Sequence, residues 1–296
     1  MILRIQSFLK RLGQTVESII RIILLSKFKI IIPEKSKIFD EVILLGNGPS
    51  LNRDLNLHQS FLKNKDLICV NHFPKTELYE KLKPSIFITG APDLWLDDIE
   101  EKFVKQSKEL FSSINQKTTW PLSFFIPHEA KKHGRWQSQI QHNENITIYY
   151  YNNIPVEGWN LFKNWCFNRH LGMPRPHNVM IPSLMLSIAF GYKTIYLLGA
   201  DHSWLPEISV TENNEVLINQ KHFYDYDTSK GQPLDKRGTG KRTLPELLYK
   251  FMTAFNSYFE IRRYSDHKGV KILNATKNSY IDAFERMKLE DDVKNG

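Results

Sequence analysis

The chain has 296 residues, 41% of them hydrophobic and 12% aromatic, which suits one large α/β domain with additions or two small domains and excludes global disorder. Its formal charge of +8 points to an anionic partner such as a nucleotide or a lipid headgroup, while the dispersed basic residues and the lack of a nucleic-acid motif argue against nucleic acid. Two cysteines, Cys69 and Cys166, far apart and outside any CxxC spacing, give no disulfide framework and read as core thiols of a reducing compartment.

The first segment, 1–35, differs from the rest. It carries Arg4, Lys10, Arg11, Arg21, Lys27 and Lys29 against a single acid before Pro33, Glu17, and its apolar residues at Ile2, Ile5, Leu9, Leu12, Val16, Ile19, Ile20, Ile23 and Leu24 fall close to a helical period. No run reaches the roughly 18 apolar residues of a membrane span, and neither the continuous apolar core nor the small-residue cleavage site of a secretory signal is present. A basic amphipathic helix lying on an anionic leaflet accounts for both charge and period. The expected location is therefore cytoplasmic, peripheral to the inner face of the cytoplasmic membrane. A helix packed on the domain or on a second subunit is the alternative, which leaves a homo-oligomer open.

Residues 36–296 read as an α/β domain. Strands are expected over 41–45, 66–71, 85–89, 123–127, 146–151, 194–199 and 270–274, with helices between them, clearest over 179–190 and 244–263. Strands alternating with helices imply a mainly parallel sheet covered by helices on both faces. Ligands bind such sheets beyond the carboxyl ends of the strands, so the residues that follow each strand are the ones to inspect. The polar span of about 205–242 breaks the alternation and reads as a lid.

In VILLGNGPSLN, residues 42–52, a strand runs into Gly46-Asn47-Gly48, with Pro49 and Ser50 suited to a helix start. The glycines leave room for a nucleotide, and free N–H groups at such a turn suit an anion. The stretch matches neither Walker A nor the dinucleotide fingerprint GxGxxG. Asn47 and Asn71 each follow a strand, where an amide reads a ribose or base through paired donors and acceptors, or simply forms a turn. Gly90 and Asp93 end the third strand. Asp201 ends the strand of KTIYLLGAD and orients a hydroxyl or caps a helix. Arg175, His177 and Asn178 precede a helix, placing a cation and N–H groups where a phosphate would sit. In the lid, His222 stands beside Tyr224 and Tyr226 and suits proton transfer; His72, His177 and His202 also border expected site elements. Asp97-Asp98 and Asp225-Tyr226-Asp227 invite a metal, but their spacing is common by chance, so no metal is expected.

Four patches, GNGPSL, VNHF, IAFGYKTIYLLGAD and NATKNSYIDAF, resemble bacterial sialyltransferases of glycosyltransferase family 42, with the related motility-associated-factor flagellin glycosyltransferases and pterin-diphosphokinase-like proteins. The resemblance runs over about 41–285 and is clear at those patches. It implies a GT-A-like, Rossmann-related fold and a metal-independent sugar transfer from CMP-sialic acid or another CMP-nonulosonate to a glycan hydroxyl in surface polysaccharide or lipopolysaccharide synthesis, with no cofactor beyond the nucleotide-sugar donor. By the same resemblance Asn47 and Asn71 contact the donor, residues 90–93 form a third donor loop, and His222 is the general base. Tyrosines assist the departing phosphate, a part that falls here to Tyr224 and Tyr226. The sequence departs from the family pattern at Ser203, where a tyrosine is usual, around Arg175, which aligns only approximately, and throughout the lid. A different sugar donor, a pterin diphosphokinase using ATP and magnesium, and a non-catalytic nucleotide- or glycan-binding scaffold remain as alternatives.

Overall fold

The computed structural model describes residues 2–33, 38–140, 143–219, 222–223, 231–234 and 240–289. In chain order, helix α1 (Ile2–Leu25) is followed by β1 (Glu41–Leu45), α2 (Leu51–Leu57), β2 (Asp66–Val70), α3 (Leu78–Leu82), β3 (Ile86–Ile88), α4 (Glu101–Lys117), β4 (Leu122–Pro127), α5 (Gly134–Ile140) and β5 (Ile146–Tyr151). The second half holds α6 (Asn160–Asn168), α7 (Met180–Ala189), β6 (Thr194–Leu198), the short strands β7 (Ile208–Val210) and β8 (Val216–Ile218), α8 (Leu244–Lys268), β9 (Lys271–Asn274) and β10 (Glu285–Arg286). All seven strands expected from the sequence form, with ends shifted by a residue or so.

Among the described residues, eight strands pair in parallel in the order β10-β9-β6-β1-β2-β3-β4-β5. The chain winds outward from β1 to β5, crosses back to lay β6 beside β1, and continues outward through β9 and β10. The order therefore reverses between β1 and β6.

Side-chain alternation along the strands divides the core in two. Val42, Leu44, Ile68, Val70, Ile86 and Ile88 face Leu184 and Ile188 of α7 and Tyr258 and Ile261 of α8. Ile43, Leu45, Leu67, Cys69 and Phe87 face the other way, toward Phe111 and Ile114 of α4 and Trp136 of α5. Strands buried on both sides read as continuous apolar runs, as EVILL and DLICV do. Cys69 and Cys166 are both buried free thiols, as expected of core residues.

One element differs from the sequence reading and another adds to it. The span expected as an irregular lid contains the antiparallel hairpin β7–β8, turned by Asn214 at φ +58° and anchored where Ile218 packs on Leu247 and Phe251 of α8. Three-residue strands carry too short an alternation to register as a period. The helix α1 packs on the domain, as one of the two readings had it: Thr15, Ser18 and Ile22 are buried, with Ser26 just past its end. Among the described residues no helix is long and apolar enough to cross a membrane.

Candidate functional site

The turn after β1 is held against the turn after β6. Gly46 N–H donates to Leu198 O and Gly48 N–H to Gly199 O, both at 2.8 Å. A Cβ on Gly46 would stand 2.8 Å from the carbonyl carbon of Gly199; one on Gly48 would lie 2.6 Å from Gly199 O and overlap the Asp201 carboxylate. The space that demands glycine at 46 and 48 is thus filled by the neighbouring turn. This corrects the expectation that these glycines leave room for a nucleotide.

Ser50 and Asp201 are engaged with each other. Asp201 Oδ2 accepts the Ser50 hydroxyl at 2.8 Å and Oδ1 accepts the Ser50 N–H at 3.3 Å. Ser50 was expected to cap α2 itself; its hydroxyl makes no such bond, and the acceptor comes instead from the turn after β6. Burial pushes the Asp201 carboxyl above its ordinary range, opposed by the two bonds from Ser50. Asp201, expected among the catalytic residues, joins two turns in this arrangement.

Beyond that closed crevice, the turns after β2 and β3 follow the turn after β1 along the same edge of the sheet. Asn47 donates its amide to Val70 O at 3.1 Å, which fixes the orientation of the side chain. Its Oδ1 is buried and has no hydrogen-bond partner among the described residues. A buried acceptor left without a donor costs about 1–3 kcal/mol, so the atom invites a ligand N–H or O–H. Asn71 adopts φ +47°, a conformation asparagine tolerates better than most residues, and accepts the Thr89 hydroxyl on Oδ1 at 3.3 Å. Thr89 O in turn accepts the Tyr151 hydroxyl at 2.9 Å. Gly90 follows, beside Tyr151, Val179 and Pro182, and Asp93 lies in the single turn Pro92–Leu94.

The lid reaches this edge at one described point. Phe223 N–H donates to Asn47 O at 3.0 Å, Asn52 Nδ2 donates to Phe223 O at 3.0 Å, and the Phe223 ring meets Phe73 at 5.6 Å. His222 is therefore held next to Asn47. Tyr224 and Tyr226, expected to face the phosphate, lie outside the described residues, as do Asp225 and Asp227.

On the α7 side Asn178 Oδ1 accepts the Met180 N–H at 2.9 Å and the Tyr258 hydroxyl at 3.1 Å. With that hydroxyl proton committed, His202 Nε2, 2.5 Å from the Tyr258 oxygen, is the donor and the imidazole is the neutral tautomer protonated there. Burial lowers the His202 pKa to about 3. His177 is held at about 4 by burial and by the nearby cations Lys250, Arg175 and Arg242. The entry to α7 is thus electropositive, and Asn178 Nδ2 and His177 Nε2 are buried there without partners among the described residues. Arg175 does not offer its guanidinium to this space: Nε and Nη2 donate to Glu157 at 3.1 and 2.6 Å, so its expected role toward a phosphate is replaced by a bidentate ion pair.

The structure thus brings Asn47, Asn71, Gly90, His222 and Asn178 to one edge of the sheet, turns Arg175 aside, and closes Ser50 and Asp201 on each other. Asp97, a candidate metal ligand by sequence, accepts from Arg135 N–H and meets His133 at 3.1 Å. Among the described residues no three His, Cys, Asp or Glu side chains converge. Sequence reasoning passed over Thr89, Asn52 and Tyr258. Thr89 lies one residue before the turn that was inspected, Asn52 looks like any helix asparagine, and Tyr258 looks like a core aromatic.

Among solved structures, the chain is similar to the MAf glycosyltransferase from Magnetospirillum magneticum AMB-1, with 12% identity and a TM-score of 0.50, covering 90% of this chain and 36% of that one. A mammalian sialyltransferase matches at 11% identity and a TM-score of 0.36, covering 87% of this chain and 78% of that one. The chain spans little more than a third of the length of the first, and at 12% identity that likeness is one of fold. No protein-family model and no curated protein matches the sequence.

Proposed function

We propose that the chain transfers a sugar from a nucleotide donor, a CMP-linked sialic acid or other nonulosonate, to a glycan hydroxyl. The observation that carries this reading is the buried, unpartnered Oδ1 of Asn47, at the carboxyl edge of a parallel sheet and next to His222. An acceptor fixed in that orientation suits the amino group of cytosine or a ribose hydroxyl. The choice of cytosine over other bases rests on the sequence resemblance, since a ring N–H or a ribose hydroxyl of another nucleotide would also satisfy that acceptor. Asn71 lies one strand further along, and the positive entry to α7 favours the donor's phosphate. The fold likeness to a glycosyltransferase agrees with this reading without choosing the donor.

In the proposed reaction His222 takes the proton of the acceptor hydroxyl as its oxygen bonds to the anomeric carbon. The bond from that carbon to the phosphate oxygen breaks, and CMP leaves with the electron pair. Tyr224 and Tyr226 remain assigned to the departing phosphate by the sequence resemblance alone. Asp201 and Arg175 are omitted, because each is engaged by Ser50 or Glu157.

The test is thermal stabilisation by CMP against UDP, GDP and ATP, since a ligand that binds the native state raises its stability. CMP is expected to raise the Tm most, and Asn47→Ala to weaken that effect by about 1–2 kcal/mol of binding. A preference for UDP or GDP would move the donor to another activated sugar. A requirement for ATP with magnesium would favour the diphosphokinase alternative, and binding without donor consumption the scaffold. His222→Ala with transfer intact would remove the general-base assignment.

A further inference from the structure

A surface helix ordinarily turns its apolar face to the domain and its polar face to water. The helix α1 does the reverse. Its buried row, Thr15, Ser18 and Ile22, continued by Ser26 just past its end, is largely hydroxylic and is seated by hydrogen bonds. Ser18 Oγ accepts Glu157 N–H at 2.9 Å, Thr15 Oγ1 accepts Trp159 N–H at 3.3 Å, and Ser26 donates to Leu171 O at 2.5 Å. The Asn152 amide brackets the end of the seat, accepting Lys27 N–H and donating to Lys27 O. Gly158, at φ +113°, lets the chain approach Thr15: a Cβ there would lie 2.9 Å from the Thr15 Cα.

Seated in this way, α1 leaves Ile5, Leu9, Leu12, Val16, Ile19 and Ile23 exposed in a row spaced four, three, four, three and four residues apart, from 38% exposure at Leu12 to 65% at Ile23. Leu24, Leu25, Phe28 and Ile31 carry exposed apolar surface beyond the row. Together they present on the order of 600 Å² or more, above what a monomeric soluble protein ordinarily shows in one patch.

We propose that α1 and the segment after it form a docking surface for an anionic phospholipid leaflet, with the helix lying in the interface plane. The charge pattern selects this occupant. Arg4, Lys10, Arg11 and Arg21 lie on the helix away from the apolar row, Lys27 and Lys29 flank Phe28, and the one acid, Glu17, is paired with Arg21. A cationic polar face opposite an apolar one is the pattern of interfacial helices. A second copy of the chain would cover the same row but bring two sets of these cations together with one acid each. The proposal stands apart from the sugar-transfer reading. It adds one link to the site: Glu157, whose backbone N–H seats Ser18, holds Arg175 at the entry to α7 through its carboxylate.

The test is co-sedimentation of the full chain with phosphatidylcholine vesicles, with and without about a quarter phosphatidylglycerol. The chain is expected to bind the anionic vesicles at least about tenfold better, with binding weakened by about 0.5 M salt. The triple variant Leu9→Glu, Val16→Glu, Ile23→Glu is expected to lose binding while keeping the wild-type Tm and its response to nucleotides, since all three side chains are exposed. The double variant Lys10→Glu, Arg11→Glu weakens binding with the apolar row untouched, which keeps the test decisive should the triple variant misfold. Equal binding to both vesicle types overturns the proposal, as does no binding to either. A wild-type dimer in sedimentation velocity that the triple variant makes monomeric, without vesicle binding, overturns it in favour of a second copy.

Discussion

Gly48 is fixed by its neighbours rather than by a ligand. A methyl group there would meet Gly199 O at 2.6 Å and overlap Asp201, and neither has room to retreat, because Gly48 N–H already bonds Gly199 O and Asp201 already holds Ser50. Gly48→Ala is therefore expected to cost about 3 kcal/mol of stability, the scale of overpacking a tight site, measured as a lower urea midpoint with unchanged slope. Asp201→Asn keeps the shape and one acceptor and is expected to cost about 1 kcal/mol in the same assay. If Asp201 were a catalytic group, transfer would fall far more than stability in that variant. The residues legible in the sequence are those whose signal is local: Asn47 and Asn71 stand in turns directly after apolar runs. The Ser50–Asp201 pair was not legible as a pair, because it depends on β6 lying beside β1, across 151 residues of sequence. Nor was the diversion of Arg175 to Glu157, since nothing in a sequence says which of several carboxylates an arginine will meet.

At the scale of elements, among the described residues the lid meets the sheet edge at Phe223. Phe223 bonds Asn47 through its backbone, accepts Asn52, and packs on Phe73, while the hairpin β7–β8 and Trp204 rest on Phe251 of α8. Phe223→Ala removes the ring but leaves the backbone bonds, and is expected to speed limited proteolysis between residues 219 and 234 several-fold. If His222 depends on that anchor for its position, transfer falls with it while nucleotide-induced stabilisation persists. An unchanged cleavage rate would show that Phe223 does not hold the lid. The strands were legible because buried parallel strands read as continuous aliphatic runs, and α7 and α8 because their periods are long. The orientation of α1 was not: a period defines a face, and the docked row of Thr15, Ser18, Ile22 and Ser26 is visible only once Glu157, Trp159 and Leu171 are in place.

For the whole molecule, the reversal of strand order between β1 and β6 would ordinarily open a ligand crevice at that point. Here the two turns are packed shut, and the remaining candidate residues follow β2 and β3 and stand at the entry to α7, where His177 and His202 are half-buried, neutral imidazoles. Their burial links the site to global stability. In the folded chain their pKa values lie near 4 and 3, below the ordinary value of about 6.5 that the unfolded chain recovers. The unfolded state therefore binds protons first as pH falls. The stability contributed by the neutral imidazoles is complete above about pH 6.5 and is lost as pH drops toward those folded values. Within that window each neutral imidazole makes stability fall with pH, before most carboxylates titrate. The raised carboxyl of Asp201 acts with the opposite sign, so the cleanest measurement is a difference between proteins. His202→Gln keeps an N–H for the Tyr258 oxygen and removes the titration. Burial also lowers His128 and His170, so urea unfolding between about pH 7 and pH 5 should show the variant losing stability less steeply than the wild type, by the share of one histidine. Parallel curves for the two proteins would mean that His202 is not held neutral in the fold, and that the hydrogen-bond order from His202 through Tyr258 to Asn178 is wrong.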